Sequence, residues 1–150
     1  MELKRVENGK FFVLVEGEDR EQIHTDEWNN IEGPSTTIPG QWLAYSPHIY
    51  SHSFPLWQGK KWRGDYAVRS LRGAFVVTSS NSTMYGEATK WETMTVLAGT
   101  FQALRIEVEL QVPVANRRYQ SKCWYAAEAQ RPVKCEGDLG RYELVRFELK

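Results

Sequence analysis

Hydrophobic and polar residues alternate most regularly over residues 101–112. One side of an extended chain would carry Leu104, Ile106, Val108, Leu110 and Val112, and the other would carry Arg105, Glu107, Glu109 and Gln111. A period of two over this length is typical of an antiparallel strand with one buried face. The pattern therefore predicts a strand whose first set is buried and whose second set faces water.

Shorter apolar runs between turn residues predict further strands. Gly, Pro and Asn separate these runs, and no window shows the period of an amphipathic helix. The predicted strands are residues 11–15, 42–45, 61–69, 74–78, 91–96, 118–126, 132–136 and 141–149. The polar residues 79–83 predict a turn, and residues 18–41 predict loops with at most short strands around Ile23. Residues 1–10 are polar.

The composition favours the same fold class. Val, Ile, Thr, Tyr, Phe and Trp outnumber Ala and Leu by 45 to 21. Branched and aromatic side chains fit a pleated sheet, whereas Ala and Leu are strong helix formers. We therefore expect an all-β fold with little helix. At 150 residues, and with no low-complexity linker, the chain fits a single β domain over residues 1–150.

Charge excludes some partners. Lys and Arg number 19, as do Asp and Glu, so the formal net charge is zero. Nucleic-acid binding requires an excess of positive charge, so we expect no nucleic-acid partner. No apolar run approaches the roughly 20 residues that a membrane-spanning helix needs, so we expect no membrane-spanning segment. The first residues lack the apolar core of a signal peptide, and whether Met1 is the native start is left open.

Several short sequence segments between residues 54 and 150 occur together in a characteristic order. Residues 91–105 are WETMTVLAGTFQALR. Upstream lie Phe54-Pro55-Leu56, Gly59 and Trp62; downstream lie Trp124-Tyr125-Ala126, Val133-Lys134 and Tyr142-Glu143-Leu144-Val145. This set, over about residues 54–150, resembles a family of functionally uncharacterised bacterial exported proteins with a W-E-x-x-T-V-x-A-G-T-F-x-A-L-R hairpin motif. Leu97 and Ala127 stand where that family usually has Pro, and residues 1–53 are not covered.

The resemblance implies a strongly curved antiparallel sheet that forms an open or partly closed barrel. It also implies a periplasmic or otherwise exported location, although a cytoplasmic one is not excluded. Such a fold is similar to the lipoprotein carriers of the bacterial periplasm, which hold acyl chains in a concave face. No established activity comes with the resemblance.

An aromatic cluster provides the candidate ligand-binding residues. Within 21 residues lie Trp42, Tyr45, Tyr50, Phe54, Trp57 and Trp62. Such a cluster could line a site for an apolar or sugar-like ligand. It could equally form a loop that plugs one mouth of the curved sheet, and packing is the commoner role of clustered aromatic residues.

Other candidate chemistry is sparse. His48 and His52 lie too far apart in an extended chain to share a metal, and His24 has only Asp26 nearby in sequence, so we expect no metal site. Glu107 and Glu109 could serve a carboxylate-dependent hydrolase, but a strand with charges on one face is more often a solvated surface. We expect no cofactor and assign no catalytic residue.

Cys123 and Cys135 are the two cysteines. The segment between them is predicted as strand, turn and strand, and symmetry about Ala129 places the two cysteines opposite each other. Opposed residues of an antiparallel pair lie within reach of a disulfide. The alternative is two reduced thiols on opposite faces, if the register is shifted by one residue. A disulfide would fit an oxidising compartment.

These observations leave three hypotheses about function. The first is a non-enzymatic domain of the cell envelope that binds an apolar small molecule or an envelope protein. The second is a structural or assembly module whose barrel is filled by its own side chains. The third is the hydrolase. An apolar cavity would favour the first and a solid interior the second, while buried paired carboxylates would favour the third. The oligomeric state is left open.

Overall fold

The computed structural model describes residues 2–15, 17–35, 40–72 and 75–147, except for the side chains of Arg72 and Val77. The predicted strand at 74–78 begins, and the one at 141–149 ends, outside these residues; of the latter, Tyr142 and Glu143 form a strand, whereas residues 144–147 do not. The strands are β1 (Glu2–Glu7), β2 (Lys10–Leu14), β3 (Gln22–Thr25), β4 (Asn30–Pro34), β5 (Trp42–Ser46), β6 (Lys61–Arg72), β7 (Phe75–Val96), β8 (Gly99–Val112), β9 (Arg117–Ala126), β10 (Arg131–Gly137) and β11 (Tyr142–Glu143).

All eleven strands belong to one sheet, and each strand pairs with its neighbours in sequence. Every pairing is antiparallel. The sheet is strongly curled into a half-barrel, and 2% of the chain is helical, which confirms the predicted fold class. The helix of the described residues is the single 3-10 turn Pro113–Ala115.

The predicted turn at residues 79–83 is wrong, because β7 continues through it. These Ser, Thr and Asn residues are paired with β6 in register, with Ser82 opposite Tyr66 and Thr83 opposite Asp65. The Thr83 hydroxyl donates a hydrogen bond of 2.7 Å to the Asp65 carboxylate. Cross-strand partners of this kind allow polar residues to form a strand, because strand preference depends strongly on the neighbours.

The two faces of the sheet can be followed along β8. Leu104, Ile106 and Val108 are buried on the face that we call the inner face, as predicted, and Leu110 and Val112 are half-buried. Phe101 and Ala103, two residues of the opposite, outer face, are also buried. Burial of these two residues was not predicted. It arises because Leu144 and Phe147, which follow the short β11, pack over that end of the outer face.

The inner face holds a separate core cluster. Its buried members are Tyr66, Met84, Ile106 and Val108. Residues 47–60, between β5 and β6, contribute Ile49, Tyr50 and Leu56 to the same cluster. The segment between two neighbouring strands therefore covers part of the concave side.

Candidate functional site

The disulfide lies on the inner face. Cys123 pairs with Ile106 of β8 on one side and with Cys135 of β10 on the other. The two cysteines form a disulfide with a Cα–Cα distance of 4.1 Å. This confirms the predicted pairing, and it places the two sulfur atoms among the side chains that face the concavity.

The opposite wall comes from the β3–β4 region. The Trp28 indole Nε1 donates a hydrogen bond of 2.9 Å to the Gln130 carbonyl in the β9–β10 turn, across 102 residues of sequence. The Thr25 hydroxyl accepts bonds from the backbone N–H groups of Glu27 (3.2 Å) and Asn29 (3.1 Å), which fixes the tight turn that carries Trp28. The β3–β4 and β9–β10 regions of the sheet therefore meet across the concavity.

Residues 47–60 are tied to the β3–β4 wall and to β6. The Asn29 side chain donates to the His52 carbonyl (3.0 Å) and accepts from the His52 backbone N–H (2.8 Å). On the other side, the Trp62 indole donates a bond of 2.7 Å to the Tyr50 carbonyl. Buried amide and indole groups that are paired in this way fix a loop at a defined position.

A cavity of about 300 Å³ lies between these three parts. Its apolar wall includes Val15, Trp28, Ile49, Ile106, Val108, Leu139 and the Cys123–Cys135 disulfide. Its polar wall includes Gln22, His24, Asn30, Ser51, His52, Ser121, Arg131, Arg141 and Tyr142. A mostly apolar cavity with a few polar groups is the usual form of a small-molecule site.

Two histidines in this wall are neutral at ordinary pH. Burial lowers the pKa of His52 to about 4, and the proximity of His24 acts in the same direction. Burial also lowers the pKa of His24 to about 4, which a backbone hydrogen bond with Trp28 partly offsets. The two imidazoles are therefore close enough for a charge on one to oppose a charge on the other.

His52 is 3% exposed, yet neither of its ring nitrogens has a hydrogen-bond partner among the described residues. Two further atoms of the cavity wall, Asn30 Oδ1 and Arg131 Nε, are buried and have no hydrogen-bond partner among the described residues. Buried polar atoms are almost always hydrogen-bonded, so several unpaired atoms around one cavity distinguish this region from an ordinary core.

Arg131 forms part of one side of the cavity wall. Its guanidinium lies 5.1 Å from the centre of the Trp28 ring. Burial raises the pKa of Tyr142, while the neighbouring Arg131 acts in the opposite direction. The ion pairs of the described residues do not involve Arg131 or Arg141. The described cavity wall therefore contains two guanidinium groups and no carboxylate.

The six aromatic residues singled out from the sequence lie outside the described wall of this cavity. Tyr45, Tyr50 and Trp62 pack against the inner core cluster. Burial raises the pKa of Tyr45 to about 12, as expected for a phenol in a packed interior.

The other three are dispersed. Phe54 packs edge-on against Tyr125, with ring centres 5.1 Å apart. Trp42 donates a bond of 2.7 Å to Glu32 at the β4–β5 pair, and Trp57 is 54% exposed. The structure thus brings Tyr45, Tyr50 and Trp62 together as packing groups and leaves the others apart. Ligand binding by the six aromatic residues stays a prediction.

Glu107 and Glu109 lie on the outer face. Arg105 donates a bond of 2.9 Å to Glu107, and Arg118 lies 4.0 Å from Glu109. Both carboxylates line an open groove of about 820 Å³ together with Lys61, Lys122 and Arg141. Neither side chain is enclosed, and mixed charges surround both, which is the pattern of a solvated sheet surface.

The sequence pointed to the disulfide but not to the other cavity residues. His24, Trp28 and Arg131 come from a predicted loop region, a tight turn and a strand end, and no periodic pattern connects them. From the sequence, His24 and His52 are candidates only for a metal site, which is not expected. The described residues contain no group of three or more His, Cys, Asp or Glu placed to hold a metal ion.

Comparison of the chain with family models, with curated proteins and with solved structures finds no match. A search of the described residues likewise finds no helix of the length and apolarity needed to cross a membrane.

Proposed function

We propose that this protein is a non-enzymatic binding domain of the cell envelope that holds a small, largely apolar molecule inside its half-barrel. One observation carries the proposal: the 300 Å³ cavity has an apolar wall and a buried His52 without hydrogen-bond partners among the described residues. A bound molecule would cover the apolar wall and pair with the unpartnered atoms, which otherwise cost about 1–3 kcal/mol each.

The volume limits the size of the ligand. A water molecule occupies about 30 Å³ of liquid, so the cavity accommodates roughly ten to twenty non-hydrogen atoms. That is the size of a single ring with a side chain or of a medium alkyl chain. A long acyl chain would extend beyond the cavity.

An exported location is part of the proposal. The Cys123–Cys135 disulfide supports it, because stable disulfides are characteristic of oxidising compartments. The resemblance of residues 54–150 to an exported bacterial family points in the same direction.

The first test is native mass spectrometry of freshly purified protein, before and after mild denaturation and refolding. We expect a mass above that of the bare chain that disappears after refolding. Tryptophan fluorescence during titration with small apolar molecules provides a second readout, because Trp28 lines the cavity.

A matched pair of variants locates the binding. Val108→Phe replaces an isopropyl group by a bulkier aromatic ring at a position that is 8% exposed in the cavity wall, and Val114→Phe makes the same change where the side chain is 78% exposed. We expect the first to abolish binding and the second to leave it unchanged. Equal binding by both variants would contradict the cavity as the site.

A structural module with a self-filled interior is the second candidate. The observation in its favour is that Tyr50 lies on Gly64 and Trp62 lies on Gly86, so closely that a Cβ would come within 2.0 and 2.1 Å of the two rings. These rings occupy much of the inner face next to the cavity. No retained mass and no fluorescence response to any apolar molecule would favour this second function.

A further inference from the structure

The charged groups of the cavity wall are all of one sign. Arg131 and Arg141 supply two guanidinium groups, and the other polar groups of the described wall are neutral side chains, including the two uncharged imidazoles. Several arginines elsewhere on the sheet are paired with carboxylates, as Arg105 is with Glu107 at 2.9 Å. An uncompensated guanidinium inside a cavity therefore sets this region apart.

Arg131 is the better placed of the two arginines to bind a ligand. Its Nε is buried and has no partner among the described residues, whereas Arg141 is exposed. The Trp28 ring packs near the guanidinium and Trp28 itself is held by its bond to Gln130, which limits the positions open to Arg131. A fixed guanidinium with an unused donor is suited to a planar anion, because its N–H groups match the two oxygens of a carboxylate.

We infer that the ligand of this cavity carries a carboxylate group, which Arg131 binds, on an apolar body that lies against Ile106, Val108 and the disulfide. This inference rests on the proposed function and specifies its ligand class: small monocarboxylates with a single ring or a medium alkyl chain. Burial of a guanidinium without a counter-ion is unfavourable, and the carboxylate would supply that counter-ion.

The test uses three probes with the same alkyl chain: octanoate, octan-1-ol and octylammonium. Binding to the full chain is measured at neutral pH by calorimetry and by tryptophan fluorescence. We expect octanoate to bind at least about tenfold more tightly than octan-1-ol, in line with a charge-assisted hydrogen bond, and octylammonium to bind most weakly.

Two variants assign the preference to one residue. Arg131→Gln should reduce the advantage of octanoate over octan-1-ol to less than about threefold while octan-1-ol binding persists. The matched control Arg117→Gln removes the same charge at an exposed position of β9 and should leave the advantage unchanged. If Arg131→Gln does not fold, the ranking of the three probes on the unchanged protein still decides whether the ligand carries a carboxylate.

The outcomes separate the two proposals. Equal binding of octanoate and octan-1-ol, or tighter binding of octylammonium, overturns the carboxylate inference and leaves the cavity as a ligand site. The absence of binding by any of the three probes overturns both. An octanoate preference that survives Arg131→Gln but not Val108→Phe overturns the role of Arg131.

Discussion

The inner face of β8 and β9 and one end of their outer face are buried, but they are covered in different ways. On the outer face, Phe101 and Trp124 lie in a continuous cluster with Leu144, and the rings of Phe101 and Phe147 are 5.9 Å apart. On the inner face, Ile106 and Val108 border the cavity. The segment 47–60 that covers this face contributes His52 and polar backbone groups as well as apolar side chains, so it does not fill the space completely. One amphipathic strand thus supports a filled core on one side and a hollow on the other. The segment that covers each face, and not the strand itself, therefore decides whether that face is filled or borders a cavity.

The largest expected effect is on the outer cluster. Phe101→Ala should lower the free energy of unfolding by about 3–5 kcal/mol, because it opens a void in a filled core. Ile106→Ala should cost about 2–3 kcal/mol, at the lower end for such a change, because it enlarges an existing cavity. Denaturant unfolding of the two variants measures both values. A greater loss for Ile106→Ala would show that the inner face is as densely filled as the outer one.

Acid should destabilise the folded protein because His24 and His52 are buried in the cavity wall. The unfolded chain protonates its histidines near pH 6.5, whereas His24 and His52 resist protonation down to about pH 4 in the folded protein. Because the unfolded state binds more protons in that window, stability falls as the pH falls from 6.5 to 4. The loss should reach roughly 2 kcal/mol per histidine at about pH 5.

The variant His52→Gln tests this assignment. Its unfolding free energy should fall about half as much as that of the unchanged protein between about pH 7.5 and pH 5, measured by denaturant unfolding at each pH. Asp65 and Glu92 have lowered pKa values, because each accepts a side-chain hydrogen bond, from Thr83 and Trp124 respectively. The stability that these carboxylates contribute is lost at lower pH, outside this window. An identical pH dependence in the variant would remove His52 as the cause.

A smaller effect is expected where an aromatic ring rests directly on the backbone. A Cβ at Gly86 would lie 2.1 Å from the Trp62 ring, so Gly86→Ala should force the ring aside at a cost of about 1–3 kcal/mol. In a Trp62→Leu background the same alanine should cost distinctly less. A double-mutant cycle measures this coupling, and additive losses would show that the contact is unimportant.

The smallest effect is expected for the charged outer surface. Glu107→Ala should change the free energy of unfolding by less than about 1 kcal/mol, because its ion pair with Arg105 is solvated and Glu87 lies directly opposite. Thermal unfolding of Glu107→Ala and of Ile106→Ala, measured side by side, compares the two losses of stability. Equal losses for these neighbouring residues would mean that the assignment of the two faces is wrong.

Local patterns predicted the second half of the sheet well. The alternation over residues 101–112 corresponds to β8, and the symmetric spacing of Cys123 and Cys135 predicted their register. The first half was harder, because β1 and β4 are short and rich in polar residues and Gly. Their pairing depends on neighbouring strands, which the local pattern does not show.

The candidate site was predictable only in part. The disulfide identifies one wall, since Cys123 shares a face with Ile106. The other wall depends on contacts between distant residues, such as that of Trp28 with Gln130 and that of Asn29 with His52. Contacts of this kind follow from the curl of the whole sheet, which no local pattern of residues encodes. The aromatic cluster was conspicuous in the sequence, but clustered aromatic residues serve packing more often than ligand binding.

The neighbour-to-neighbour order of the eleven strands has a consequence for folding. Each strand can pair with the one that precedes it as soon as both are available, so most of the sheet can grow by short-range steps of the kind that favour rapid folding. The Trp28–Gln130 bond is different, because it joins residues 102 positions apart and requires the curl to be complete. We therefore expect the β3–β4 and β9–β10 regions to meet late, which makes the cavity one of the last features to form. A molecule that fits the cavity would then slow unfolding more than it speeds folding.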